Sequence, residues 1–447
     1  MKLMFCLTAG TLAAASVAGA QGGVGGGTPQ RITYDDAVAI VLKQNVSVRQ
    51  AENATQLSDA TVKQQQKAFL PNLSLSVSGS NNVGRNFSQS EGTIINQQSQ
   101  ALSTGLSSSL TLFDGGKNLS SLRSARADQE ASEQDLARTK QSAVFTVASN
   151  FVGLTNANEQ LKVQEENLTA LQSQEQQIDA FVKAGSRPVA DLYQQQALVA
   201  NAQLAVAQAQ RAVELAKVDL IQTLQLDPTG TYDFVAPSAT DAATNRTYNL
   251  DSLVAQAYSN RADLAAQSAR VEAAGQDVKV AEASKLPTIS LTGSYSTAYN
   301  TATDLSLANQ LDQRRGGGVG IGISIPLFDR GSSSAAEQKA EIAQSNAQLA
   351  LSQQRQGIAL DVRRAYLDFT SAKQQLTAAT AQLAAAQKAV EATQARYKAG
   401  AATLVEVSQA QAQEVSAASA LATARNNLVL QEKAIDFAVG AGDKGRS

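Results

Sequence analysis

Catalysis near neutral pH usually draws on a base, a nucleophile or a metal, and this chain lacks most residues that supply them. Its 447 residues include no histidine and one cysteine, Cys6. Cys6 lies in an apolar run at the start of the chain. Once that run is removed, no thiolate nucleophile, disulfide or Cys/His metal centre is available. A carboxylate pair or a Ser/Lys pair would have to do any chemistry. The carboxylates are scattered along helical stretches, mostly beside Lys or Arg. No enzyme activity, cofactor or metal is expected. Two glycine runs imitate nucleotide sites. Gly22 to Gly27 follows no strand and precedes no Gly-Lys-Ser/Thr, and the alternating glycines from Gly318 to Gly322 have the wrong spacing for a dinucleotide turn. The net charge of −2 implies no nucleic-acid surface.

The informative pattern is repetition. Leu70-Pro71-Asn72-Leu73-Ser74-Leu75 returns as Leu286-Pro287-Thr288-Ile289-Ser290-Leu291, a shift of 216 (287 − 71). Leu112-Phe113-Asp114-Gly115-Gly116 returns as Leu327-Phe328-Asp329-Arg330-Gly331, and Lys183-Ala184-Gly185 as Lys398-Ala399-Gly400, both at 215 (328 − 113, 400 − 185). Three markers in one register define a tandem duplication of a long unit.

The boundaries follow from composition. Lys2, an apolar run and Ala18-Gly19-Ala20 form a secretory signal over residues 1–20. Residues 21–31 are a flexible linker, and 227–248, with Pro228, Gly230 and Pro237, join the halves. The first repeat spans 32–226 and the second 249–440, with a tail at 441–447.

Each half reads as helix, hairpin, long helix, turn, return helix. The first helix runs from about Thr33 to Ala68, and its partner from Asn249 or Asp251 toward Lys285, each stopped by a proline. Period two follows within hairpins at 72–113 and 288–328. Leu73, Leu75 and Val77 alternate with serines, and Val319, Ile321, Ile323 and Ile325 alternate with glycines and Ser324. Runs of about ten residues suit tilted strands crossing a bilayer. A polar face of Ser, Thr and Gly rather than charge suits a water-filled lumen. Polar stretches from Gly84 to Ala101 and Asn300 to Gly317 read as long exposed loops. Sevenfold spacing of Val147, Leu154, Leu161 and Leu168, and of Leu376, Leu383, Val390 and Tyr397, predicts coiled-coil packing in rods of roughly 100 Å. Tip turns at 183–187 and 398–402 end the rods, and return helices run from about Val189 to Leu226 and Leu404 to Val439.

Four strands cannot satisfy their own edges in lipid, and the smallest membrane barrels need about eight. Strands in a membrane therefore require several copies of the chain to share one barrel.

With these motifs the chain resembles the TolC-like outer-membrane efflux proteins. The carriers are the duplicated Leu-Pro-x-Leu/Ile-x-Leu, the Leu-Phe-Asp-x-Gly, the paired Ala-Gly turns, and the ending from Asn426-Asn427-Leu428 to Gly440. The resemblance implies a mainly α fold with a membrane β part. In it a homotrimer builds a twelve-stranded outer-membrane barrel above a periplasmic α-barrel of long coiled-coil helices. It implies a passive exit duct for drug efflux or type I secretion, surrounded by outer-membrane lipid. The partners implied are a periplasmic adaptor and an inner-membrane transporter, of the resistance–nodulation–division (RND) or ABC type. The adaptor would dock at Lys183, Ala184, Gly185, Lys398, Ala399 and Gly400. The entrance would be lined by Asp191, Gln194, Glu406 and Gln409, with Arg187 and Tyr397 beside them. The family's entrance arginine, two residues past the second-half glycine, is replaced here by Ala402, and an arginine stands instead at Arg187. Glu406 also completes a capping box with Thr403, and Asp191 sits in a first helical turn after Pro188, so both have a local structural role. A competing reading is a secreted, trimeric, rod-like structural protein without a channel.

Overall fold

A computed structural model describes residues 30–88, 92–235, 246–303 and 305–441. The leader expected at 1–20 lies outside them, as do most of the linker expected at 21–31 and most of the tail at 441–447.

The first helical stretch is two helices, α1 (Tyr34–Gln44) and α2 (Val46–Lys67), and not one. Asn45 takes φ −59° and ψ 130°, and its side chain accepts from the Ser47 and Val48 amides. An asparagine that caps its own following backbone ends one helix and starts the next. The second repeat breaks likewise at Arg261, between α5 (Leu250–Asn260) and α6 (Ala262–Ala283). There the buried guanidinium pairs with Asp263 at 2.6 Å and Asp361 at 3.3 Å.

Both expected linkers contain structure. Gln30 and Arg31 open β1 (Gln30–Thr33), which pairs in parallel with β4 (Tyr232–Val235). Buried Ile32 and Phe234 hold this clasp against the first-repeat core. Residues 236–245 lie outside the described residues.

Four further strands form one antiparallel sheet in the order β2-β3-β5-β6: β2 (Ser74–Ser88), β3 (Thr93–Phe113), β5 (Thr288–Asn300) and β6 (Gly316–Ser324). Their lengths are 15, 21, 13 and 9 residues, so the uniform ten expected from pattern is corrected. The stretch expected as a loop from Gly84 to Ala101 is mostly paired strand, with Gly84 opposite Gln97. Backbone pairing extends the ribbon through Asn- and Gln-rich sequence that has no apolar alternation to announce it. The other expected loop contains α7 (Leu307–Gln313). Its buried Gln310 accepts from the Asn300 amide and donates to the Asn300 carbonyl, acting as a strand edge would where β6 has ended.

One face of the sheet is apolar and exposed, with Leu75, Val77, Leu106, Tyr295, Val319 and Ile321. The other carries Ser and Thr opposite small residues, as in Ser78 beside Ser103 and Thr292 beside Gly320. Among the described residues no helix is long and apolar enough to cross a membrane.

Two 67-residue helices, α3 (Lys117–Lys183) and α8 (Ser332–Lys398), run the length of the helical part, each about 100 Å. Next to the sheet the helices lie in the order α2, α3, α6, α8. Towards the turns the return helices α4 (Val189–Leu224) and α9 (Leu404–Ala438) take over, in the order α4, α3, α9, α8. The duplication holds in the cores. Val147, Leu154, Val213 and Leu220 in one cluster answer Val362, Phe369, Leu428 and Ile435 in the other.

Candidate functional site

The turns between long and return helices are built alike. Gly185 has φ +70° and Gly400 φ +74°, conformations that favour glycine. Gly185 donates to the Val182 carbonyl at 2.9 Å and Gly400 to the Tyr397 carbonyl at 3.0 Å. The next residues, Ser186 and Ala401, reach back to Phe181 and Arg396. These paired bonds close both helices and leave Lys183, Ala184, Gly185, Lys398, Ala399 and Gly400 exposed at one end of the molecule.

The structure brings Arg187 and Tyr397 together. The Arg187 guanidinium lies 4.3 Å from the Tyr397 ring centroid and donates to the Tyr397 carbonyl at 3.2 Å. Tyr397 is buried with Ile178, Leu404 and Val407, so one small core welds the two turns. Burial pushes the Tyr397 phenol above its ordinary pKa; Arg187 pulls it back and Asp191 adds to the rise. The Tyr397 hydroxyl is buried without a hydrogen-bond partner. Asp191, in the first turn of α4, donates its amide to the Pro188 carbonyl at 3.1 Å.

Glu406 is occupied locally. It accepts from the Thr403 amide at 3.2 Å while its own amide donates to the Thr403 hydroxyl at 3.3 Å. Arg396 pairs with it at 3.4 Å and donates to the Ala401 carbonyl. Gln194 and Gln409 lie exposed on α4 and α9. Sequence reasoning missed Arg396, although a cation in the last turn before a C-terminal glycine is a usable signal. It also missed Gln195, which is buried and donates to the Leu171 carbonyl at 2.9 Å. Among the described residues no group of three acidic, His or Cys side chains is placed to hold a metal.

The arrangement is two long antiparallel helix pairs hung from a four-stranded sheet with one apolar, exposed face. The chain belongs to the outer membrane efflux protein family, whose model matches residues 38–224 and 253–441. It is an outer-membrane protein with a helical periplasmic part. The chain is 26% identical over 321 residues to the outer membrane efflux protein BepC of Brucella suis, covering 70% of this chain and 65% of that one. It is 25% identical to the pyoverdine export outer membrane protein OpmQ of Pseudomonas aeruginosa, covering 57% and 52%. The matches thus span between about half and two thirds of these relatives. The crystal structure of CusC shares the fold, with a TM-score of 0.80, 22% identity, and coverage of 91% of this chain and 92% of that one.

Proposed function

We propose that three copies of this chain form the outer-membrane exit duct of an efflux or type I secretion system. The carrying observation is a protomer open at two matching sides. The sheet ends in unpaired edges at β2 and β6, and the helix layer ends at α2 and α4 on one side and α8 on the other. The outer helices carry exposed apolar residues: Tyr193, Leu204 and Leu215 at elevenfold spacing on α4, and Ile342, Leu349, Leu360 and Leu367 along one face of α8. An open edge facing lipid leaves backbone groups unpaired. Joining β6 to the next copy's β2 closes twelve strands, and the same rotation closes twelve helices around one bore.

The duct is passive. A periplasmic adaptor docks at the turns Lys183–Gly185 and Lys398–Gly400, and an inner-membrane RND or ABC transporter supplies the energy. Arg187, Tyr397 and Asp191 hold the periplasmic entrance. Gln194, Glu406 and Gln409 line it, and residues 1–20 direct export of the chain.

Closure is tested by cysteine pairing. The β3–β5 register sets Ser107 opposite Ser294. Shifted by the repeat offsets of 215 and 216, it sets Gly322 opposite Ser78 of the next copy. Ser78→Cys with Gly322→Cys should link outer-membrane protein into trimers on a non-reducing gel. Monomers only, from correctly inserted protein, overturn the duct. A photo-reactive residue at Ala401 should capture the adaptor and its transporter, and the transporter's type separates efflux from secretion.

A further inference from the structure

The duplication offers an internal template for the junction between subunits. Inside the chain, the turn from β3 into α3 packs against the end of α6. A Cβ on Gly115 would lie 2.8 Å from the Leu286 Cβ and Cδ1, and 3.1 Å from the Ala283 carbonyl oxygen. Glycine is required there by contact as well as by its φ of +70°.

The second copy of this junction is split between the protomer's two open sides. The turn from β6 into α8 stands on one side and the end of α2, with Leu70, on the other. Exposure reports the missing neighbour. Leu112 and Phe113 are 52% and 47% exposed, while their counterparts Leu327 and Phe328 are 93% and 87%. Leu286 is 44% exposed and its counterpart Leu70 is 64%.

At this split junction the glycine has become an arginine. Arg330 keeps the left-handed backbone, φ +58°, although a side chain is disfavoured there. The turn is otherwise the same: Asp114 accepts from the Gly116 and Asn118 amides, and Asp329 from those of Gly331 and Ser333. A junction copied from the one inside the chain would drive the Arg330 Cβ into Leu70, so the seam must stand wider. The direction a Cβ takes at Gly115, towards Leu286 and the Ala283 carbonyl, becomes at Arg330 a direction towards Leu70 and the Lys67 carbonyl of the next copy.

We infer that Arg330 is a subunit-seam residue. Its aliphatic stem covers Leu70 of the neighbouring copy, and its guanidinium caps the carbonyl end of that copy's α2. That end of a helix is negative and attracts cations. The stem shields apolar surface while the charge stays hydrated. The inference rests on the trimeric reading above.

Two measurements on the full-length protein test it, the first in outer membranes. Leu70→Cys with Arg330→Cys should give intermolecular disulfides, since the template puts the two Cβ atoms close and the widened seam brings them to bonding range. Ser78→Cys with Gly322→Cys runs alongside. If the strand pair links and the 70/330 pair does not, this inference falls while the trimer stands. If the strand pair also fails, the trimer reading falls and takes the inference with it. The second measurement is the temperature at which purified trimer dissociates in mild detergent. Arg330→Gly relieves backbone strain, so a turn with no seam role becomes equally or more stable. The seam role demands a drop of several degrees for Arg330→Gly and near-recovery with Arg330→Lys. An Arg330→Gly trimer as durable as the parent overturns the assignment even where the disulfide forms.

Discussion

Arg187 and Tyr397, 210 positions apart, are joined twice: the guanidinium lies over the ring at 4.3 Å, and it donates to the tyrosine's carbonyl at 3.2 Å. The first-repeat turn is thereby tied to the last turn of α8. A stacked cation of this kind contributes on the order of 0.5–2 kcal/mol. Arg187→Ala with Glu406→Ala should raise conductance in planar bilayers. Arg187→Lys, which keeps charge without the planar fork, should act more weakly. Unchanged conductance in the double variant removes the entrance role from both residues.

Glu406 serves as cap and as charge, and two substitutions separate these roles. Thr403→Ala removes the hydroxyl that receives the Glu406 amide, costing about 0.5–2 kcal/mol. Glu406→Gln keeps an oxygen for the Thr403 amide but removes the charge. Thr403→Ala should lower the melting temperature with selectivity intact, and Glu406→Gln should lower cation selectivity with little change in melting. Loss of stability without a selectivity change in Glu406→Gln would reduce that residue to a cap.

Gly440 and Gly153 should respond in opposite directions to alanine. Gly440 closes α9 at φ +70°, and a Cβ there would meet the Asn260 carbonyl oxygen at 2.9 Å. Gly440→Ala should destabilise by more than about 1 kcal/mol. Gly153 lies inside α3 with nothing within 4 Å of an added Cβ, so Gly153→Ala should stabilise by about 0.5–1 kcal/mol. Denaturant melts of both variants in detergent check the contrast, and equal signs refute it.

Asp128 on α3 sets a pH dependence. Burial raises its carboxyl above the ordinary value, Asp277 across on α6 adds to the rise, and Arg270 opposes it. Ser124 donates to Asp277 at 2.8 Å and holds that neighbour in place. The folded protein therefore binds this proton more tightly than the unfolded chain. Stability from this group is present at low pH and declines as pH rises from the unfolded value of about 3.8 through the raised folded one. Asp128→Asn should be more stable than the parent near neutrality, with the gap closing towards acid. A constant gap across pH contradicts the assignment.

The long helices and their ends were readable because they depend on local rules. Absence of proline, sevenfold apolar spacing and a cation before glycine pointed to two long rods, each closed by an Ala-Gly turn. The break at Asn45 was not read, because an asparagine in a polar helix looks the same whether it points to solvent or caps its neighbour. The ribbon beyond Gly84 was missed for a related reason: its pairing is backbone to backbone, and Asn and Gln side chains do not announce it. At the turns, Arg187 and Tyr397 were each singled out, but not as a stacked pair, since 210 residues of chain separate them.

By itself the sequence determined the duplication, the strand–helix alternation and the two apolar strand faces, all of which follow from spacing along the chain. Only the tertiary structure decided that β1 clasps β4, that the two turns share one core, and that Gly115 is filled against while Arg330 stands open. Those facts depend on which surfaces meet in space. Offsets of 215 and 216 residues say that two segments are alike, and packing alone says which of them has a neighbour.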